Sequence, residues 1–220
     1  MKVLVIAPHM DDEVLGVGGT IIKHLKMGDS VGVCFVCKRA YNHRYIEKLI
    51  TEEKEVALKA KDVLGYSDVK FLDLSDELLD HKIQTVLVPL ERYVYKFSPD
   101  IVYIPHRGDN NQDHRAVFQA SMIVARTFGN HKIKKILCYE VPSSTEQSHF
   151  FEYVFLPNFY VDIKDFLNKK IEALKCYERE GRAYPHPRSI DAVEILAKKR
   201  GTEIGFDAAE SFMLIRGKWE

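Results

Sequence analysis

The sequence predicts an α/β fold of three layers, a mostly parallel sheet with helices on both faces, and three observations carry that reading. Short apolar runs of strand length recur at residues 2–7, 31–37, 69–72, 101–104 and 136–139. Segments with helical spacing lie between them, which implies right-handed crossovers joining parallel strands. The first and fourth runs each end in a cluster of imidazoles and carboxylates, and the open carboxyl end of such a sheet is where ligands sit.

The elements follow in order. After the first strand a helix continues through residues 20–27. Residues 45–64 carry an apolar stripe at Ile46, Leu49, Ile50, Ala57, Ala60 and Leu64, and Gly65 is suited to end that helix in the left-handed region. A third helix spans 83–97 and stops at Ser98-Pro99, and a fourth spans 116–128 and stops at Gly129-Asn130. Beyond Val141 the pattern is less regular, with a strand at 159–163, a helix at 165–177 and a helix capped by Ser189 through Lys199. A last strand is expected at 211–215. Tyr184-Pro185-His186-Pro187-Arg188-Ser189 reads as a stiff extended loop between the last two helices. In the common doubly wound, Rossmann-like order the first strand lies beside the fourth, and a crevice opens between them.

Composition bounds the function. The chain has 220 residues, of which 46% are hydrophobic and 29% charged, which suits a single domain spanning 1–220. Lys+Arg and Asp+Glu both total 32, so no basic face invites a nucleic acid or an anionic membrane. The first apolar run is too short for a membrane span and lacks the features of a secretory signal, so the expected location is cytoplasmic. Cys34 and Cys37 lie in one strand at an odd spacing, which predicts opposite faces and argues against joint ligation; buried structural thiols are expected.

The chemistry-bearing clusters are Ala7-Pro8-His9-Met10-Asp11-Asp12-Glu13 and His106-Arg107-Gly108-Asp109-Asn110-Asn111-Gln112-Asp113-His114. Imidazole and carboxylate are the usual ligands of a hydrolytic zinc, and adjacent carboxylates let one bind the ion while the other moves protons. One such cluster is the ordinary composition of a turn or helix start. Two, each behind its own strand and meeting at the switch point, give a geometric reason for a shared ion.

At these residues the chain resembles the LmbE-like, or PIG-L, family of metal-dependent de-N-acetylases acting on N-acetylglucosaminyl conjugates. Pro8-His9-Met10-Asp11-Asp12-Glu13 matches its first motif, usually His-Pro-Asp-Asp-Glu, with Met10 in place of proline. Asn111-Gln112-Asp113-His114 matches its second, commonly His-x-Asp-His. Tyr139-Glu140-Val141-Pro142-Ser143-Ser144-Thr145 and His186-Pro187-Arg188-Ser189 look like further segments of bacterial members. The resemblance implies a Rossmann-like fold, His9, Asp12 and His114 as zinc ligands, and Asp11 as general base. Zinc is the implied cofactor, although such a donor set accepts other divalent metals. An amino-sugar substrate and a homo-oligomer are implied too.

Asp113 can orient an imidazole or cap a helix. Asn111 stands where many relatives carry a histidine; it can donate a hydrogen bond to the carbonyl oxygen but cannot exchange protons at neutral pH. The substrate-contacting arginine that many relatives carry early in the second helix is replaced here by Thr51-Glu52-Glu53-Lys54-Glu55, with Lys54 and Arg44 the nearby cations.

Other features have plainer readings. Gly16-Val17-Gly18-Gly19-Thr20 lacks the dinucleotide-binding spacing and is better explained by close packing of helix on sheet. His106, Arg107 and Asp109 are rim residues or turn formers. His186 and Arg188 are read as substrate-binding, for sugar hydroxyls or a phosphate. The favoured function is metal-assisted removal of acetyl from an N-acetylated amino sugar or its conjugate. The alternatives are hydrolysis of another small amide and, with less support, a Rossmann-like nucleotide-binding module.

Overall fold

The first strand, β1 (Lys2–Ala7), reads Lys-Val-Leu-Val-Ile-Ala, and side chains alternate between sheet faces along a strand. In a computed structural model that describes residues 1–126, 133–149, 153–177 and 182–219, Val3, Val5 and Ala7 enter one core and Leu4 and Ile6 the other. A central strand feeding two cores must be apolar at every buried position, as this one is from Val3 to Ala7.

The remaining elements follow as α1 (Asp12–Lys26), β2 (Ser30–Lys38), α2 (Glu47–Leu64), β3 (Asp68–Ser75), α3 (Ile83–Phe97), β4 (Ile101–Pro105), α4 (Gln112–Val124) and β5 (Lys135–Tyr139). After these come β6 (Phe159–Asp162), a 3₁₀ turn at Lys164–Phe166, α5 (Leu167–Lys175), α6 (Ile190–Thr202) and β7 (Ala209–Gly217). The described strands form one sheet in the order β3-β2-β1-β4-β5-β7-β6. The β1 to β5 pairings are parallel, and β7 runs antiparallel to both β5 and β6. Residues of α1, α2, α5 and α6 pack in the core on one face and residues of α3 and α4 in the core on the other. The expected three layers are present, with β1 beside β4. Among the described residues no helix is long and apolar enough to cross a membrane.

Several boundaries differ from those expected, each for a local reason. Helix α4 starts at Gln112 rather than 116 because the Asn111 side chain accepts the Asp113 N–H and caps it. It ends at Val124, with Ala125 as its C-cap, short of the expected 128, and the Gly129-Asn130 stop lies outside the described residues. The 165–177 helix is shorter because its first turn is 3₁₀. Gly65 does end α2 at φ 92°, and Ser189 does cap α6 by accepting the Ala192 N–H at 3.1 Å.

The expectation for Cys34 and Cys37 is overturned. Cys34, Val36 and Cys37 all lie in the core beneath α3 and α4, because the pairing of β2 with β3 slips between Phe35 and Cys37. A bulge of this kind resets the alternation by one residue. Both thiols are buried, as expected.

The glycines of α1 pack as the sequence suggests. A Cβ on Gly19 would stand 2.7 Å from Ile163 Cγ2, and one on Gly16 would collide with the Tyr139 ring. Close approach here brings α1, and the loop before it, down onto the sheet.

Candidate active site

The β1–α1 and β4–α4 loops leave adjacent strands at the switch point, and three donors from them meet. His9 Nδ1 lies 3.2 Å from His114 Nε2, Asp12 Oδ2 lies 3.6 Å from His9 Nδ1, and Asp12 Oδ2 lies 3.3 Å from His114 Nε2. Ligand atoms on a tetrahedral zinc, each about 2.0 to 2.2 Å from the ion, are themselves about 3.3 to 3.6 Å apart. Two of the edges fall in that range and the third, between the imidazoles at 3.2 Å, lies just below it. Asp12 and His114 are fully buried, and Asp12 Oδ1 has no hydrogen-bond partner, a costly arrangement for a carboxylate unless a cation faces it.

The surroundings favour positive charge between the imidazoles. Burial alone would lower the pKa of His114, but the Asp12 and Asp109 carboxylates outweigh it and push the imidazole up to about 9. His9 is likewise opposed by burial yet raised well above its usual value by Asp113 and Asp12. Burial would raise Asp12, but the imidazole charges hold it well below the ordinary carboxylate range. A site that stabilises protons in this way also stabilises a divalent ion bound by neutral imidazoles.

Each imidazole has a carboxylate behind it. Asp113 Oδ2 lies 3.2 Å from His9 Nε2 and accepts the Glu77 N–H at 3.0 Å. Asp109 Oδ2 lies 3.2 Å from His114 Nδ1. Asp109 is itself fixed by the hydroxyls of Ser144 and Thr145 and by the Asn111 N–H at 2.8 Å. Such partners set the tautomer and orientation of a metal-bound histidine. Asp109→Asn is therefore expected to weaken metal binding about 10- to 100-fold without unfolding the protein, as checked by competition with a chromophoric chelator.

The Asp113 carboxylate therefore faces His9 rather than capping α4, and the cap is the Asn111 side chain. A second group within ligand reach of one another is His9, Cys37 and Asp113, on the Nε2 side of the same imidazole. It lacks the second histidine.

Asp11 stands apart from the donor triangle. It precedes α1 but makes no side-chain capping hydrogen bond, and its backbone sits at φ 139°, a strained conformation for a residue with a Cβ. Arg188 Nη1 donates to Asp11 Oδ2 at 2.8 Å, and Arg39 Nη2 approaches the same oxygen at 3.8 Å. Asp11 Oδ1 is buried without a hydrogen-bond partner. Burial raises the Asp11 pKa, Arg188 opposes that, and the neighbouring Asp12 charge adds to it. A carboxylate held by one oxygen, with its pKa moved toward neutrality and the other oxygen free, is suited to proton transfer.

Arg188 also donates through Nε to Ser143 Oγ at 2.7 Å, so the segments around 142 and 188 meet over Asp11. His186 does not join them. Its Nδ1 accepts the Arg188 N–H at 3.1 Å, which shapes the loop. His106 also lies away from the donor triangle in its contacts: its Nε2 is 2.6 Å from the Tyr153 carbonyl oxygen.

With this geometry in view, the likeness to known proteins is specific. Residues 4–125, more than half of the chain, match the family described as GlcNAc-PI de-N-acetylase, PIG-L. The chain belongs to the PIG-L family. The diacetylchitobiose deacetylase of Thermococcus kodakarensis is 26% identical over 192 residues, 81% of this chain and 70% of that protein. The N,N'-diacetylchitobiose deacetylase structure from Pyrococcus horikoshii superposes with a TM-score of 0.79 at 22% identity, covering 98% of this chain and 84% of that one. A 4-carboxy-2-hydroxymuconate hydratase, GalB from Pseudomonas putida, gives a TM-score of 0.75 at 20% identity, covering 100% of this chain and 98% of that one. The fold therefore carries more than one reaction, and function must be argued from the site.

In this PIG-L chain two contacts around the donor residues escape the sequence. Asp109 reads as a turn residue, yet it stands five positions before His114, in the loop after β4, and its carboxylate meets that imidazole. Arg39, at the end of β2, supplies a guanidinium that α2 lacks: its Nε lies 3.2 Å from Glu53 Oε1, and its head faces Asp11. Lys54 instead pairs with Asp73 at 2.6 Å.

Proposed function

We propose that this chain is a zinc-dependent de-N-acetylase that hydrolyses the acetamido group of an N-acetylated amino sugar or its conjugate, releasing acetate and a free amine. The observation that carries the reading is a tetrahedral-type donor set, His9, Asp12 and His114, beside an unligated carboxylate, Asp11, whose free oxygen is buried. His9, Asp12 and His114 would hold the ion, with Asp113 and Asp109 orienting the imidazoles. A divalent ion held there would supply Lewis-acid polarisation of the acetamido carbonyl and of the attacking water.

The chain's own groups do the rest. Asp11 accepts the proton of the attacking water at Oδ1 while Arg188 and Arg39 hold Oδ2. The Asn111 side-chain oxygen is engaged by the Asp113 N–H, which leaves its amide N–H₂ as a donor toward the carbonyl oxygen. Asn111 cannot supply a proton, so the leaving nitrogen takes one from the group that has just gained it, Asp11. The C–N bond breaks, and acetate and the amine leave.

The test is acetate release from a panel of N-acetylglucosamine, its conjugates, nucleotide sugars and acyl amino acids. Activity on the amino sugars that is lost on chelation and restored by zinc is expected. Preferential turnover of acyl amino acids, or activity indifferent to chelation, would contradict the proposal.

A further inference from the structure

The His9 imidazole has two nitrogens, and only one of them faces the donor triangle. Its Nδ1 lies toward Asp12 and His114, while its Nε2 lies 3.2 Å from Asp113 Oδ2, in a second group that includes the Cys37 thiol. The donor atoms of His9, Cys37 and Asp113 all stand within 4.8 Å of one another. Donors on a tetrahedral zinc that includes one thiolate are about 3.3 to 3.6 Å apart, so closing this group on an ion takes a movement of about 1 Å at most.

Two features of the fold assemble the group. The slip in the pairing of β2 with β3 falls between Phe35 and Cys37, and it turns Cys37 to the face covered by α4, whose first turn carries Asp113. The Cys37 N–H donates to the Pro8 carbonyl oxygen at 2.9 Å, which ties the end of β2 to the loop that presents His9.

Burial and charge then favour a cation. Asp113 is 2% exposed; its Oδ2 meets His9 and the Glu77 N–H, while its Oδ1 is buried with no hydrogen-bond partner among the described residues. A carboxylate oxygen left in this way is costly unless a cation meets it. Asp76, also buried, adds a negative charge that acts on both His9 and Cys37. Burial pushes the Cys37 thiol up to about 11, with His9 opposing, so an ion must displace the thiol proton. Ordinary core packing accounts for Cys37 alone but leaves the orphaned oxygen beside it unexplained.

The geometry points to a second metal site, formed by His9 Nε2, Cys37 Sγ and a carboxylate oxygen of Asp113, for a thiophilic divalent ion of the zinc and cadmium class. His9 is then shared, with Nδ1 toward the first ion and Nε2 toward the second. On binding, bonds form from the ion to sulfur, nitrogen and oxygen, and the thiol proton and the Nε2 proton pass to solvent. Expelling two protons makes this site weaker than the first, so it fills when metal is in excess and empties on dialysis. A thiolate donor selects against magnesium, calcium and manganese. The inference goes beyond the deacetylase reading, and its test makes no use of acetate release.

The experiment titrates the zinc-loaded protein, dialysed free of excess metal, with Cd2+ and follows the sulfur-to-cadmium charge-transfer band in the ultraviolet. A band that saturates at one equivalent per chain is expected, and Mg2+ should neither produce it nor compete. Cadmium that replaces zinc at the first site adds nothing to the band, because His9, Asp12 and His114 offer no sulfur. Cys37→Ser should lose the band and that equivalent, whereas Cys34→Ser and Cys176→Ser should keep both. Anomalous diffraction from wild-type crystals soaked in Cd2+ needs no variant and should show a peak within bonding distance of Cys37 Sγ, His9 Nε2 and Asp113. No band in the wild type, a band that survives Cys37→Ser, or no cadmium at Cys37 in the crystal would overturn the inference and leave the assignment of the first ion standing.

Discussion

Asp11→Asn is expected to retain its metal and to lose about 100- to 10,000-fold in turnover, the range for removal of a positioned base. The substitution keeps the size and shape of the side chain and removes the proton acceptor at Oδ1. The competing explanation is that Asp11 serves only to start α1, and the geometry weighs against it because the side chain makes no capping hydrogen bond. Asparagine caps a helix about as well as aspartate, so a capping role predicts near-normal acetate release. The Arg188 contact at 2.8 Å would lose its charge partner, and a KM change could accompany the fall in kcat. Metal content and single-turnover rate, measured on the same preparation, separate loss of the base from loss of the site.

Asp12→Ala should remove stoichiometric metal and, with it, metal-dependent acetate release. Asp12 is the anionic corner of the donor set, and its Oδ2 also accepts the His9 N–H at 2.8 Å, which holds the loop that presents His9. Its loss leaves two buried imidazoles without the carboxylate that makes a cation favourable between them. Asp12→Asn, which preserves shape and removes charge, should also lose metal affinity. Elemental analysis after dialysis, with circular dichroism to show that both variants fold, checks the result. Retained metal in both would mean that Asp11 and Asp12 have been given each other's roles.

The parts of this architecture written in local sequence were legible before the structure. Strands were marked by apolar runs, and the ends of α2 and α3 by Gly65 and by Ser98-Pro99. The convergence of His9, Asp12 and His114 followed from placing β1 beside β4. The parts that depend on distant pairing were not legible. A bulge in β2 is set by its register with β3, so the facing of Cys37 could not be read from an odd spacing. Arg188 reaches Asp11 across most of the chain, and Arg39 reaches it from another strand end, so their contacts have no local signature. The hydrogen-bonding chemistry of Asn111 is plain from its residue type, whereas its capping of α4 depends on where that helix starts.

The most direct test is anomalous diffraction at the zinc edge from crystals of the zinc-loaded protein. The account predicts a peak within bonding distance of His9 Nδ1, an Asp12 carboxylate oxygen and His114 Nε2, with the Asp11 carboxylate nearby and uncoordinated. A peak instead at His9 Nε2, Cys37 and Asp113, or coordination by Asp11 in place of Asp12, would contradict it.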